Sequence, residues 1–298
     1  MELLKVENVS KAFGGILAIN RVSFDLNQGE VLGLIGPNGA GKSTTIKTML
    51  DFMKPDSGEI KIFGEKLSET HKERLGYLPE ERGLYKKLPA FDLILYLASL
   101  KGMDRKSAAK KADELLDRTG MLSSRNKKIK EMSKGMGQLI QLIVTIIHDP
   151  DLIILDEPFS GLDPVNIDLL KRIIGDLRDQ GKAIILSAHQ MNEVEELCDR
   201  ILMINKGSSV LYGDLKEIKT RYKGHSVIVD IKDELGDITG VLRKKIKKDF
   251  IELTLDDNTT PQQILEGLIR QKKTISRFEI ATPSLTEIFL KIVGENNE

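Results

Sequence analysis

Between Val31 and Thr44 the chain passes from a short apolar run, Val31 to Ile35, straight into Gly36-Pro37-Asn38-Gly39-Ala40-Gly41-Lys42-Ser43-Thr44. An apolar run this short marks a strand buried on both faces, as in a parallel sheet. The segment from Gly36 to Ser43 fits G-x-x-x-x-G-K-S/T, and its place between a strand and a helix is the context in which that pattern binds phosphate. Its glycines let successive backbone N–H groups converge on phosphate oxygens, and the next helix adds the positive end of its dipole. Gly36, Asn38, Gly39, Ala40, Gly41, Lys42, Ser43 and Thr44 are therefore candidate nucleotide-binding residues. Lys42 is expected to reach the β- and γ-phosphates of ATP, and Ser43 to ligate Mg²⁺.

A second buried run, Leu152 to Leu155, ends in Asp156-Glu157. A strand end holds Asp156 rigidly near the metal and leaves Glu157 to orient or deprotonate an attacking water. A third run, Ala183 to Leu186, is separated from the second by a helix opened by Asp163-Pro164. That helix carries its apolar stripe at Ile167, Leu170, Ile174 and Leu177 and ends at Gly181. Strands alternating with helices imply a mostly parallel sheet. Earlier, Val22, Phe24 and Leu26 alternate as in a half-buried strand, and Gln28-Gly29 reads as a turn.

From about residue 86 to 149 the periodicity is helical, with Ala108, Ala112, Leu115 and Leu116 on one face and Leu139, Leu142, Ile143 and Ile146 on another. This reads as a helical subdomain inserted between the halves of a sheet domain spanning 1–221. From 222 to 298 the pattern changes to a small α+β domain. Its strands are expected at Val227–Ile231, Ile251–Leu255 and Ile275–Ile280, and its helices at Pro261–Ile269 and around Leu285, Ile288, Phe289 and Ile292.

Phosphate loop and acidic strand together are the mark of P-loop NTPases, and five further features make residues 2–220 resemble the ATP-binding cassette (ABC) ATPases. Met132-Ser133-Lys134-Gly135-Met136 sits where that family has its LSGGQ signature, and Ser160-Gly161-Leu162-Asp163 resembles its D-loop. His189 matches its switch histidine, Glu80 in Gly76-Tyr77-Leu78-Pro79-Glu80 occupies its Q-loop position, and Phe13 is placed like its adenine-stacking aromatic residue. The resemblance implies an α/β P-loop NTPase fold: a RecA-like, mostly parallel sheet with an antiparallel β subdomain and the inserted helices. It also implies that Ser133 and Gly135 serve an ATP bound by an opposite subunit, that Asp163 of the D-loop is a nucleotide-binding residue, and that Glu80 joins Ser43 and Asp156 around Mg²⁺. The sequence departs from the family at Lys134, Met136 and Glu80. The phrase Leu78-Pro79-Glu80-Glu81-Arg82-Gly83-Leu84-Tyr85 and the ending Ala281 to Phe289 resemble the NatA-like, ABC-2 exporter branch with its C-terminal accessory domain.

The expected partners are an integral membrane permease on a separate chain and a second ATPase subunit, identical or not. The expected location is the cytoplasm, peripheral on the inner face of the cell membrane. No apolar run approaches the roughly 18 residues that cross a bilayer, and the N-terminus lacks a signal-peptide pattern. The alternative is an ABC ATPase acting on ribosomes or DNA. Balanced charge, 45 basic against 45 acidic residues, argues against a nucleic-acid partner. The single cysteine, Cys198, reads as core, and the stretches Lys127, Lys128, Lys130 and Lys244, Lys245, Lys247, Lys248 read as solvated surface. Residues 222–298 read as a structural appendage, with ligand sensing as the alternative.

Overall fold

The computed structural model describes residues 1–81, 83–222, 226–231, 236, 238–247, 250–256, 258–281 and 283–295. Arg82, Lys248 and Thr282 lie outside them. The chain divides into two compact units, Met1–Leu215 and Lys216–Glu298. The division falls ahead of residue 222, where the change of pattern placed it.

The first unit opens with the strands β1 (Glu2–Phe13), β2 (Ile16–Asn27) and β3 (Val31–Ile35), followed by helix α1 (Lys42–Met49) and β4 (Ser57–Ile62). Next come α2 (Glu69–Glu73), β5 (Leu75–Leu78), α3 (Ala90–Leu100), α4 (Arg105–Arg118), α5 (Lys134–Ile146) and β6 (Leu152–Asp156). The unit closes with α6 (Pro164–Asp179), β7 (Ala183–Ala188), α7 (Met191–Glu195), β8 (Arg200–Asn205) and β9 (Ser208–Asp214). Helix α8 (Leu215–Arg221) crosses into the second unit, which adds β10 (Ser226–Ile231), β11 (Val241–Ile246), β12 (Ile251–Leu255), α9 (Pro261–Arg270), β13 (Ile275–Ile280) and α10 (Leu285–Glu295).

Two sheets build the first unit. A six-stranded sheet runs β5-β6-β7-β3-β8-β9, parallel except for its edge strand β9. A three-stranded antiparallel sheet runs β2-β1-β4. The three apolar runs become β3, β6 and β7, every residue of which is buried. They lie side by side in the order β6-β7-β3 and run parallel, so the ends that lead into Gly36, Glu157 and His189 share one edge. Ligands of open α/β sheets gather at that carboxyl edge. Val22, Phe24 and Leu26 of β2 pack with Ile46 and Met49 of α1 in one core cluster, which ties the phosphate-loop helix to the antiparallel sheet.

Helices α3, α4 and α5 occupy the segment read as helical. The stripe of α4 is buried as its spacing predicts, at Ala108, Ala112, Leu115 and Leu116. Helix α5 is buried nearly all round after its first turn, from Gly137 to Ile143. In the second unit the strand order is β11-β12-β10-β13, all antiparallel. Among the strands of this unit, β11 is the one that periodicity failed to indicate. Among the described residues no helix is long and apolar enough to cross a membrane.

Candidate nucleotide site

The loop between β3 and α1 owes its course to two glycines. Gly36 has φ 154°, and a Cβ there would lie 2.1 Å from the Ile204 carbonyl oxygen at the end of β8. Gly41 has φ 111°, and a Cβ there would lie 2.4 Å from the Ala18 carbonyl oxygen. A side chain at either position would push the loop off the two sheets that hold it. No side chain caps α1, so its first-turn N–H groups keep their capacity for an anion. Ala40 is buried and its carbonyl accepts from Gly207 N–H at 2.8 Å, whereas Asn38 and Gly39 are exposed. The Thr44 carbonyl accepts from the Thr48 hydroxyl at 2.8 Å.

The Lys42 side chain folds back over its own loop. Its ammonium donates to the Gly36 carbonyl at 2.9 Å and lies 3.4 Å from Glu157 Oε1. Both side chains are buried, so this ion pair lies in a medium that strengthens it and screens it little. The other Glu157 oxygen, Oε2, lies 2.7 Å from His189 Nδ1. Glu157 itself has φ 51° immediately after β6, a left-handed conformation rare for a side chain of this size. Strain of that kind persists only where the surroundings fix it. Here the Glu157 N–H donates to the Ser187 hydroxyl at 2.9 Å.

Ser187 in turn donates to Asp156 Oδ1 at 2.5 Å. One buried hydroxyl thus sets the positions of both acids. Burial pushes the Asp156 carboxyl above the usual carboxylate range, and hydrogen bonds from Ser187 and Ser43 offset part of that shift. Among the described residues no group of three or more His, Cys, Asp or Glu could hold a metal by itself. Ser43 and Asp156 still fit Mg²⁺, which takes one or two protein oxygens and completes its shell with phosphate and water.

The signature is organised around helix caps of its own. Ser133 caps α5, accepting from Met136 N–H at 3.2 Å. Asp163 caps α6, accepting from Asn166 N–H at 3.0 Å. The two caps adjoin, because a Cβ on Gly135 would meet Asn166 Nδ2 at 3.4 Å and Leu162 Cδ2 at 3.6 Å. The structure therefore brings Lys42, Ser43, Asp156, Glu157 and His189 together in one group, and Ser133, Gly135 and Asp163 in another. Phe13 ends β1 with half its surface exposed, and the Lys11 ammonium lies 5.7 Å from its ring centroid. Glu80 is exposed beyond β5.

Sequence reasoning missed Ser187, Gln138 and Gln141. The two glutamines lie on the buried face of α5, where Gln138 donates to the Pro158 carbonyl and Gln141 to the Pro79 carbonyl, each at 3.2 Å. They tether α5 to the segments that carry Glu157 and Glu80. A polar residue inside an otherwise apolar run was the available signal in all three cases.

Comparison with known proteins bears on this geometry. A family profile described as "ABC transporter" matches residues 19–160, and one described as "ATP-binding protein DrrA1-3-like, C-terminal domain" matches residues 213–293. YhaQ of Bacillus subtilis (strain 168), an uncharacterized ABC transporter ATP-binding protein, is 39% identical over 98% of this chain and 99% of its own length. This chain is an ABC transporter ATP-binding protein. The linearmycin resistance ATP-binding protein LnrL of the same organism is 35% identical over 76% of this chain and 74% of its own. A solved ATP-binding subunit of an ABC transporter superposes with a TM-score of 0.69 at 30% identity, covering 74% of this chain and 93% of that one. Proteins of this family are ATPases, so this ABC subunit binds and hydrolyses ATP.

Proposed function

We propose that this ABC subunit powers export through a separate membrane permease, by pairing with a second ATPase subunit when ATP is bound. The observation that carries it is the split of the site into two groups. The Lys42 cluster lacks the signature, and Ser133 with Gly135 forms a second anion site at the N-terminus of α5. Two chains set head to tail complete each other's sites, with Asp163 at the junction. Export is supported by the branch resemblance and by the resistance function in the name of LnrL.

In this proposal the loop N–H groups and Lys42 hold the phosphates, and Phe13 stacks on adenine. Ser43, Asp156 and Glu80 hold Mg²⁺, which supplies neutralisation of phosphate charge when bound. Glu157 leaves Lys42 as phosphate takes over the ammonium. It then accepts a proton from water as the water oxygen bonds to the γ-phosphorus and the bond to the β-bridging oxygen breaks, releasing ADP and phosphate. His189 orients Glu157 and donates toward the γ-phosphate.

The permease docks in an apolar groove of about 310 Å³ lined by Phe52, Leu67, Tyr77, Leu97 and Leu100. Phe52 and Leu100 are large apolar residues left exposed at the groove, and Tyr77 lies on the strand that leads to Glu80. Leu100→Glu is expected to abolish co-purification with the permease from gently solubilised membranes while the isolated chain still binds ATP. Retained co-purification would remove the groove from the interface. For the function as a whole, the test is capture of the Glu157→Gln chain with ATP from such membranes. A polytopic membrane protein in near-equal amount is expected. Ribosomal or DNA-bound proteins without one would overturn the transport role.

A further inference from the structure

The accessory unit has a one-sided core. Val227 and Val229 of β10 and Leu253 and Leu255 of β12 pack with Ile264 and Leu268 of α9. Ile228 and Glu252 alternate with these residues along their strands and so face the opposite side of the sheet. Between that side and α10 lies a cavity of about 330 Å³. This is at the lower end of the roughly 300–1,000 Å³ range of small-molecule sites. Its apolar wall includes Tyr222, Ile228, Phe250 and Ile288, and its lining carries Lys247 and Lys291.

One carboxylate of the lining is already engaged. Glu287 Oε2 accepts from the Ser284 N–H at 2.9 Å and from its hydroxyl at 3.1 Å. Glu252 stands opposite Lys245 in the β11–β12 ladder. The lysines are not so engaged. Lys291 Nζ lies 5.9 Å from the Tyr222 ring centroid, and among the described residues neither Lys247 nor Lys291 is joined to a carboxylate. Two aromatic rings and two aliphatic side chains thus share the lining with two ammonium groups that no carboxylate among the described residues pairs.

We propose that this cavity binds a small amphipathic organic anion, an aliphatic or aromatic body bearing one carboxylate. The body lies against Tyr222, Phe250 and Ile288, and Lys247 and Lys291 meet the carboxylate. Hydrophobic contact supplies most of the affinity, and the charge-assisted hydrogen bonds fix orientation. The cavity shares no residue with the nucleotide site, so it stands independently of the transport proposal.

The chain contains no tryptophan. Phe250→Trp therefore places a lone reporter in the cavity wall of the full-length protein. Titration with octanoate, a spectrally silent probe, is expected to change its emission saturably. Lys247→Glu/Lys291→Glu in the same background, or 1-octanol in place of octanoate, is expected to weaken the response about tenfold or more, the loss of one good polar contact. Tyr222→Trp provides a second reporter should Phe250→Trp unfold the unit, and ATP turnover with a thermal midpoint verifies folding of either. Two results would overturn the proposal. One is the lack of any saturable response in a folded reporter. The other is an equal response to octanol and octanoate that is indifferent to the lysine substitutions, the mark of an apolar crevice.

Discussion

Three bonds converge on the Glu157 side chain and its N–H, from Lys42, His189 and Ser187. Replacing its carboxylate by an amide keeps the shape and removes the basic oxygen. Glu157→Gln should lower steady-state phosphate release by roughly 10²- to 10⁴-fold, the usual worth of a general base. It should also yield an ATP-dependent dimer on gel filtration; full turnover would remove Glu157 from the chemistry. Ser187→Ala makes a subtler test. It leaves one buried carboxylate oxygen and one buried N–H without their partner, at about 1–3 kcal/mol each. The thermal midpoint should drop and turnover should fall with ATP affinity little changed. A variant as active and stable as the parent would show that Ser187 merely fills space. The sequence marks Ser187 only as a polar residue in an apolar run, because a serine within a buried strand has the same letter whether it bonds its own backbone or two neighbouring acids.

Much of the element pattern was legible. Burial on both faces writes β3, β6 and β7 as unbroken apolar runs, and Asp163-Pro164 marks the start of α6 because a cap and a pre-set φ suit that position alone. Helix α10 and strands β12 and β13 followed from their spacing. Strand β11 did not: its Leu-Arg-Lys-Lys-Ile residues are all exposed at a sheet edge, and an edge strand with charged side chains has no buried face to impose a period. The C-terminal cavity was equally hidden, since its walls come from residues scattered between 222 and 291. At the end of α5, His148 Nε2 lies 3.1 Å from the Leu75 carbonyl, and burial lowers the imidazole to about 4 from 6.5. The unfolded chain therefore takes up a proton that the folded chain refuses. This contribution to stability is complete above pH 6.5 and is lost as pH falls toward about 4. His148→Gln should flatten the urea midpoint across that window; an unchanged profile would assign acid sensitivity to other groups.

In the proposed head-to-tail pair each molecule carries half of each of two sites. Lys42→Ala should fail at the phosphates and Ser133→Arg at the partner's ATP, so each chain alone should be inactive. Mixed, they should recover part of the ATPase rate, because one of the two junctions in a mixed pair is intact. No recovery over a range of mixing ratios would contradict pairing between copies of this chain. The same architecture sets the pace at which different parts exchange hydrogen with water. Strands β3, β6 and β7 each have a neighbour on both sides, and their amides are released to solvent only when the sheet opens globally. The exposed segment around Glu80 has no such protection. In heavy water the chain therefore keeps two clocks. The slow one reads the stability of the whole sheet, and the fast one, on the proposed role of Glu80, reports nucleotide as it comes and goes.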